Sequence, residues 1–312
     1  MSFSKGQLVT HPVFGLGKVV GVAPSSLTVF FKDKDRNPRK LSATQSQLTI
    51  AESQQDPWLD MLDVPFAGSG KLGIVLTHEQ MVTKFLEYFP EGFSDPKYLE
   101  FERSEKWAAH ELWNETLGEK EFRRLLKENA YAEIAKRLAA VETKINQIFK
   151  TDKSAMREAI EEEKDAQDFA VALYDYVYGA EEIEERFNAF CKVLENLPQG
   201  PASTKWPLQT MFLFLAHPSE FLFLKPTAAQ EAAKRRVYAL NYDAQPKWWT
   251  YHCWLHLGRL LFTELKPLNP KDMIDVQAFL HITADDKYKV GKNSPKAKAA
   301  KKKPAKVLAE EA

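Results

Sequence analysis

The hydrophobic period of this chain changes once, and that change limits the folds open to it. Residues 6–22 read GQLVTHPVFGLGKVVGV, with apolar and polar residues in alternation. Alternation suits a strand, because successive side chains point to opposite faces. From Thr77 onward the spacing moves to about 3.6 residues, the repeat of a helix with one apolar stripe. A short β unit is therefore expected ahead of a longer helical part.

Within the β unit, Leu8 and Thr10 fall on one face of a first strand and Val9 and His11 on the other. His11-Pro12 and Gly15-x-Gly17 supply turns, since glycine reaches backbone angles that other residues resist. Lys18 to Val22 reads as a second strand, and Leu27 to Lys32 (LTVFFK) as a third, rich in β-formers. Arg39–Leu41 and Leu48–Ile50 are short enough to finish the unit. Five short strands in about fifty residues suggest a small closed barrel with one inward face, because closure removes exposed strand edges.

Residues 53–76 read as a linker, acidic and polar at first and then Ala67-Gly68-Ser69-Gly70. Thr77 with Gln80 has the form of a capping box. Tyr131, Ile134, Leu138, Val141, Ile145 and Ile148 share one stripe, and Phe169, Leu173 and Val177 repeat at i, i+4. Asn269, Pro270 and Asp272 look like another helix start. About nine helices are expected between Thr77 and Phe279, with no strand. The fold class is thus multidomain: a small all-β barrel over 1–52, a linker over 53–76, an all-α domain over 77–286 and a disordered Lys-rich tail over 287–312.

Charge is uneven. The net charge is zero, but the chain from Lys287 holds nine lysines against two glutamates, so the rest is acidic. The two cysteines, Cys191 and Cys253, give neither a disulfide framework nor a tetrathiolate zinc site. The opening MSFSKGQLV lacks the apolar core of a signal peptide, and no apolar run approaches the ~20 residues of a membrane span. A cytoplasmic protein, with no membrane association, is expected.

Candidate chemistry is sparse. Gly68-Ser69-Gly70-Lys71 fails as a phosphate loop, because the pattern's first Gly is Pro65 and its Ser/Thr is Leu72. His252 and His256 could place two ligands on one helix face, yet no third ligand follows locally. Asp272 and Asp275 fit the first turn of a helix better than a catalytic pair. Neither a metal nor a cofactor is expected. Trp248, Trp249, Tyr251 and Trp254 crowd seven positions, where core, protein interface and base stacking all stay open; Trp248 and Trp249 are the candidate surface for a second partner. Lys296, Lys298, Lys301, Lys302 and Lys303 are candidates for phosphate neutralisation without sequence preference, or for a solubilising tail.

Two resemblances add to this reading. Residues 9–20 (VTHPVFGLGKVV), with Leu27-Thr28-Val29-Phe30-Phe31 and Leu48-Thr49-Ile50, resemble the SH3/Tudor-like barrels of bacterial transcription-associated proteins. These include the RNA-polymerase-interacting domain of the CarD family and the C-terminal barrel of UvrD/PcrA-type helicases. The resemblance covers about a sixth of the chain and implies contact with polymerase or nucleic acid; no helicase motor or CarD-type companion domain follows. The second covers Trp206-Pro207, Thr210-Met211-Phe212, His217-Pro218, Phe223-Leu224-Lys225-Pro226, Asn241-Tyr242 and Asp272 to Phe279. It is similar to an all-helical segment of uncharacterised bacterial proteins, some linked to restriction-type genes, and implies no activity.

The sequence thus points to a non-enzymatic bacterial adaptor. Val13, Phe14 and Lys18 would contact the transcription machinery or nucleic acid, and the helical domain a second partner. The alternative is a DNA-acting or defence-associated enzyme with its site in the helical domain. Convergence of acidic and basic side chains with a histidine in a helical pocket would favour that alternative.

Overall fold

The structure is a computed structural model and describes residues 3–32, 38–44, 46–68, 74–145, 150–198, 200 and 205–291. Five strands, β1 (Leu8–His11), β2 (Gly15–Ala23), β3 (Ser26–Phe31), β4 (Pro38–Ser42) and β5 (Thr49–Ile50), form one antiparallel sheet ordered β4-β3-β2-β1-β5. In the β1–β2 hairpin Val9 lies opposite Gly17 and His11 opposite Gly15. Gly15 takes φ 72°, a region that favours glycine. Gly17 is needed for a different reason: an added Cβ would stand 2.7 Å from the Phe31 ring and 2.8 Å from the Phe30 carbonyl.

Both sheet faces are buried, where the alternation predicts one. Val9, Val19, Leu27, Val29, Phe31 and Leu48 form one cluster. Leu8, Val20 and Phe30 form another with Ala51, Leu59, Leu62, Ala67 and Val237. The β2–β3 register shifts between Val19 and Gly21, so Val20 is the extra residue of a bulge.

The second cluster extends beyond the sheet. The stretch expected as a linker is packed among its described residues: Trp58, Leu59, Leu62 and Ala67 are buried. Gln54 bridges the Leu8 N–H and carbonyl, Asp63 N–H donates to the Val237 carbonyl at 2.9 Å, and Ala239 N–H to Met61 at 2.8 Å. The physical reason is apolar content: four large or buried side chains in ten residues find partners on both sides. Val64–Gly68 is helical (α1), and Ser69, Gly70 and Lys71 lie outside the described residues.

The helical body starts at α2 (His78–Tyr88), where Thr77 and Gln80 form the expected capping box. A continuous helical stretch then runs from α3 (Pro96–Tyr98) through a π-helical turn at Leu99–Arg103 into α4 (Ser104–Leu117). Next come α5 (Glu119–Lys127), α6 (Tyr131–Lys144), α7 (Lys150–Ala159), α8 (Glu163–Tyr178) and α9 (Ile183–Asn196). The last four are α10 (Trp206–Ala216), α11 (Pro226–Arg235), α12 (Trp248–Glu264) and α13 (Met273–Ala284). There are more helices than expected, because breaks as short as Gly118 separate α4 from α5.

Tyr131, Ile134, Leu138 and Val141 of α6 and Phe169, Leu173 and Val177 of α8 are buried, as their spacing predicts. Every residue of α10 is buried, so this helix is apolar all round and lies inside the body. Nearly all of α13 is buried too. Tyr288, placed in the tail by sequence, is buried, because its hydroxyl reaches Glu102 at 2.6 Å. The rest of that tail, 292–312, lies outside the described residues. Among the described residues no helix is long and apolar enough to cross a membrane.

Candidate functional site

The β1–β2 turn is rigidly built. His11 Nδ1 accepts hydrogen bonds from Val13 N–H (3.1 Å) and Phe14 N–H (3.3 Å), so its ring closes the turn. That ring stacks on Phe14 with centroids 4.5 Å apart. Phe14 also meets Phe31 at 5.2 Å, and the Arg39 guanidinium lies over the Phe14 ring, 4.4 Å from its centre. Phe14 is therefore half-buried and anchors the turn, while Val13 stands 62% exposed beyond it. Lys18, grouped with Val13 and Phe14 on sequence, is not part of this tip. Its Nζ donates to the Leu59 carbonyl at 2.7 Å and ties β2 to the segment below.

The aromatic cluster of α12 divides. Tyr251 and Trp254 are buried, and Trp248 packs on Phe187 with centroids 5.7 Å apart. Trp249 is 57% exposed and stacks on His252. His256 turns elsewhere, with Nδ1 2.9 Å from the Tyr238 hydroxyl, which itself donates to the Cys253 carbonyl. Among the described residues no group of three or more His, Cys, Asp and Glu is placed to hold a metal ion. Burial pushes the Cys191 thiol up to about 12 and raises that of Cys253, which leaves little thiolate at neutral pH.

Asp272 caps α13 by accepting from Ile274 N–H. Arg103 meets it with two parallel bonds and also reaches Asp275 at 2.7 Å. Tyr98 donates to the same Asp275 oxygen, and Lys271 N–H to the other. Every carboxylate oxygen of the pair thus has a donor, which is what burial of two charges requires. The arrangement joins α3, the π turn and α13, and it leaves no carboxylate oxygen turned to a ligand.

One turn away, the π turn and α13, together with α4 and α11, line a cavity of about 160 Å³. Glu102 and Lys106 contribute from the π turn and α4, Lys225 from the start of α11, and His281 from α13. Lys106 Nζ donates to the Glu102 carbonyl and stands 3.8 Å from its carboxylate, whose other oxygen accepts from Tyr288. The His281 ring packs edge-on against Tyr288, and among the described residues neither ring nitrogen has a hydrogen-bond partner. Burial pushes the His281 imidazole below its usual range; Glu102 opposes this, and Lys106 and Lys225 add to it. The imidazole is therefore neutral at pH 7, one nitrogen able to accept and one to donate.

Sequence reasoning missed this cavity. Glu102 and Lys106 stand i, i+4 on one helix face, which is the only local trace; His281 arrives from far along the chain inside an apolar run. Lys296, Lys298, Lys301, Lys302 and Lys303 lie outside the described residues. No family model, no curated protein and no solved structure matches this chain.

Proposed function

We propose that this chain is an adaptor whose N-terminal sheet is an SH3/Tudor-like barrel that recruits the transcription machinery, with the helical body meeting a second partner. The observation that carries the reading is the β1–β2 tip. An apolar side chain, Val13, is held outward by a turn that His11 and Phe14 make rigid, so little conformational entropy remains to be lost on docking. Arg39 beside Phe14 adds a cation at the edge of that surface. Trp249 is the corresponding anchor on the helical body, since exposed aromatics are enriched at interface centres.

The test is retention of RNA polymerase from a bacterial lysate by the full chain, with nuclease-treated and untreated samples in parallel. Retention that survives nuclease and falls at least about tenfold in Val13→Asp supports the reading. Equal retention by both proteins, or capture that nuclease abolishes, removes it. A second reading, an enzyme with its site in the helical body, is favoured by the convergence of Glu102, Lys106 and His281 on one cavity.

A further inference from the structure

We propose that the cavity between α4, α11 and α13 is a binding site for a small organic monocarboxylate, its carboxylate group met by Lys106 and His281. This goes beyond both readings above, because it needs neither a protein partner nor turnover.

Size sets the first limit. About 160 Å³ compares with cavities of about 150 Å³ that hold one benzene-sized molecule. A nucleotide or a peptide segment does not fit; a ring or short chain bearing one head group does.

Charge sets the second. The walls bring Lys106, Lys225 and Lys289 against Glu102 and Glu105. Lys106 is the cation here that burial takes out of water, and Glu102 already stands beside it, so adding one negative charge costs less in this partly desolvated space than adding two; a monoanion is favoured over a dianion such as hydrogen phosphate. Glu102 is already committed, with Tyr288 on one oxygen and Lys106 near the other. Lys106 is buried, with its Nζ given to one backbone carbonyl, and an ammonium has three donors. An incoming carboxylate thus meets a charge whose water has already been removed, where a charge-assisted bond is strongest.

The apolar lining explains why the ligand is organic. Phe101, Phe223, Ala229 and Leu280 line the same cavity as the cations. A hydrocarbon portion covers these side chains, while an inorganic anion leaves them wet.

The experiment uses benzoate, benzyl alcohol and inorganic phosphate as probes on the full chain, by titration calorimetry, with His281 followed by proton NMR. Benzoate is expected to saturate one site at about 1 mM or tighter, to bind at least about tenfold tighter than benzyl alcohol, and to move the His281 resonance. Lys106→Met should lose at least about tenfold in benzoate affinity. Ala228→Phe, which adds a ring at a half-exposed lining position, should abolish binding, and it serves if Lys106→Met does not fold. The proposal is overturned by any one of four results: no saturable benzoate binding, benzyl alcohol binding as tightly, phosphate binding more tightly, or Ala228→Phe binding benzoate like the parent. All four are independent of whether Val13 recruits polymerase.

Discussion

Arg103 lays its two terminal nitrogens against the two carboxylate oxygens of Asp272, at 2.9 and 2.5 Å, across 169 residues of sequence. The π-helical turn at Leu99–Arg103 comes immediately before α4 and carries the arginine. Asp275 completes the group, wholly buried and 2.7 Å from the same guanidinium. Trp107 closes the outer side, with the guanidinium 5.1 Å from its ring centre.

Removing the arginine leaves two buried carboxylates without their cation. Arg103→Met is expected to lower the unfolding free energy by about 3–5 kcal/mol, the usual cost of breaking one side of a buried ion pair. Arg103→Lys keeps the charge but cannot form the fork, so its cost should fall between those of the parent and Arg103→Met. Urea unfolding at neutral pH measures both. A loss under about 1 kcal/mol in Arg103→Met contradicts a structural role for the group.

His281 sets a pH dependence with a definite sign. Burial, with help from Lys106 and Lys225, holds its folded value below the unfolded one of about 6.5. As pH falls below about 6.5 the unfolded chain takes up a proton before the folded chain does, so stability falls with falling pH. The loss stops growing once the folded imidazole titrates. His281→Gln should remove this part of the slope between about pH 6.5 and 5, leaving that of His256, whose value burial also lowers. Thermal melts at several pH values decide; an unchanged slope in His281→Gln rules the assignment out.

The elements legible in the sequence are those whose causes are local. Thr77 and Gln80 stand three residues apart, and Tyr131, Ile134, Leu138 and Val141 lie on one stripe, so both follow from chain geometry alone. Asp272 was readable as a helix cap for the same reason. Arg103 was not, because its partners lie far along the chain and the π turn that carries it has no composition signal. The second buried face of the sheet was not legible, because Leu59, Leu62, Ala67 and Val237, which cover Leu8, Val20 and Phe30, all lie outside the strands. Polar composition at 51–57 concealed that Trp58, Leu59 and Leu62 follow at once and are buried. The His281 cavity needs five separate segments to meet, 101–106, 223–229, Trp254, 277–281 and 288–291, and nothing in any one of them announces the others.

The lysines at 296, 298, 301, 302 and 303 carry a salt prediction. Each phosphate neutralised releases counterions, so binding through them should weaken steeply between about 50 and 200 mM salt. Phosphate contacts by lysine carry no sequence information, so the binding should not depend on the sequence of the oligonucleotide. The matching truncation ends at Gly291, since Tyr288 belongs to the packed body. Fluorescence anisotropy on both lengths is the measurement. Undiminished binding by the shortened chain places nucleic-acid contact elsewhere, with Trp249 the first residue to substitute.

Sheet and helical body should unfold together. Leu8, Val20 and Phe30 are covered by Leu59, Leu62, Ala67 and Val237, residues that lie outside the strands. Backbone bonds continue the contact, with Leu62 opposite Tyr238 in a β-bridge and Leu76 N–H on the Arg235 carbonyl at 3.1 Å. Lys18 on Leu59 and Lys32 on Asp56, at 2.7 and 3.1 Å, add polar ties from the sheet side. Trp58 donates to Glu264 at the far end of α12. A sheet cut off at residue 52 therefore exposes three buried side chains at about 1.5–3 kcal/mol each, a large share of a small domain's stability. The fragment 1–52 should be largely unfolded by circular dichroism, whereas the full chain should melt in one transition seen equally by far-ultraviolet signal and tryptophan fluorescence. Leu59→Ala, at the centre of the contact, should lower that single transition by about 2–5 kcal/mol rather than split it. Protease should also spare residues 58–67 in the folded chain, because Leu59 is tied to Lys18 on the sheet side and Met61 and Asp63 to Ala239 and Val237 on the other. A stable 1–52 fragment, or early cleavage between Trp58 and Leu62, would show that the sheet is an independent unit resting on the body without depending on it.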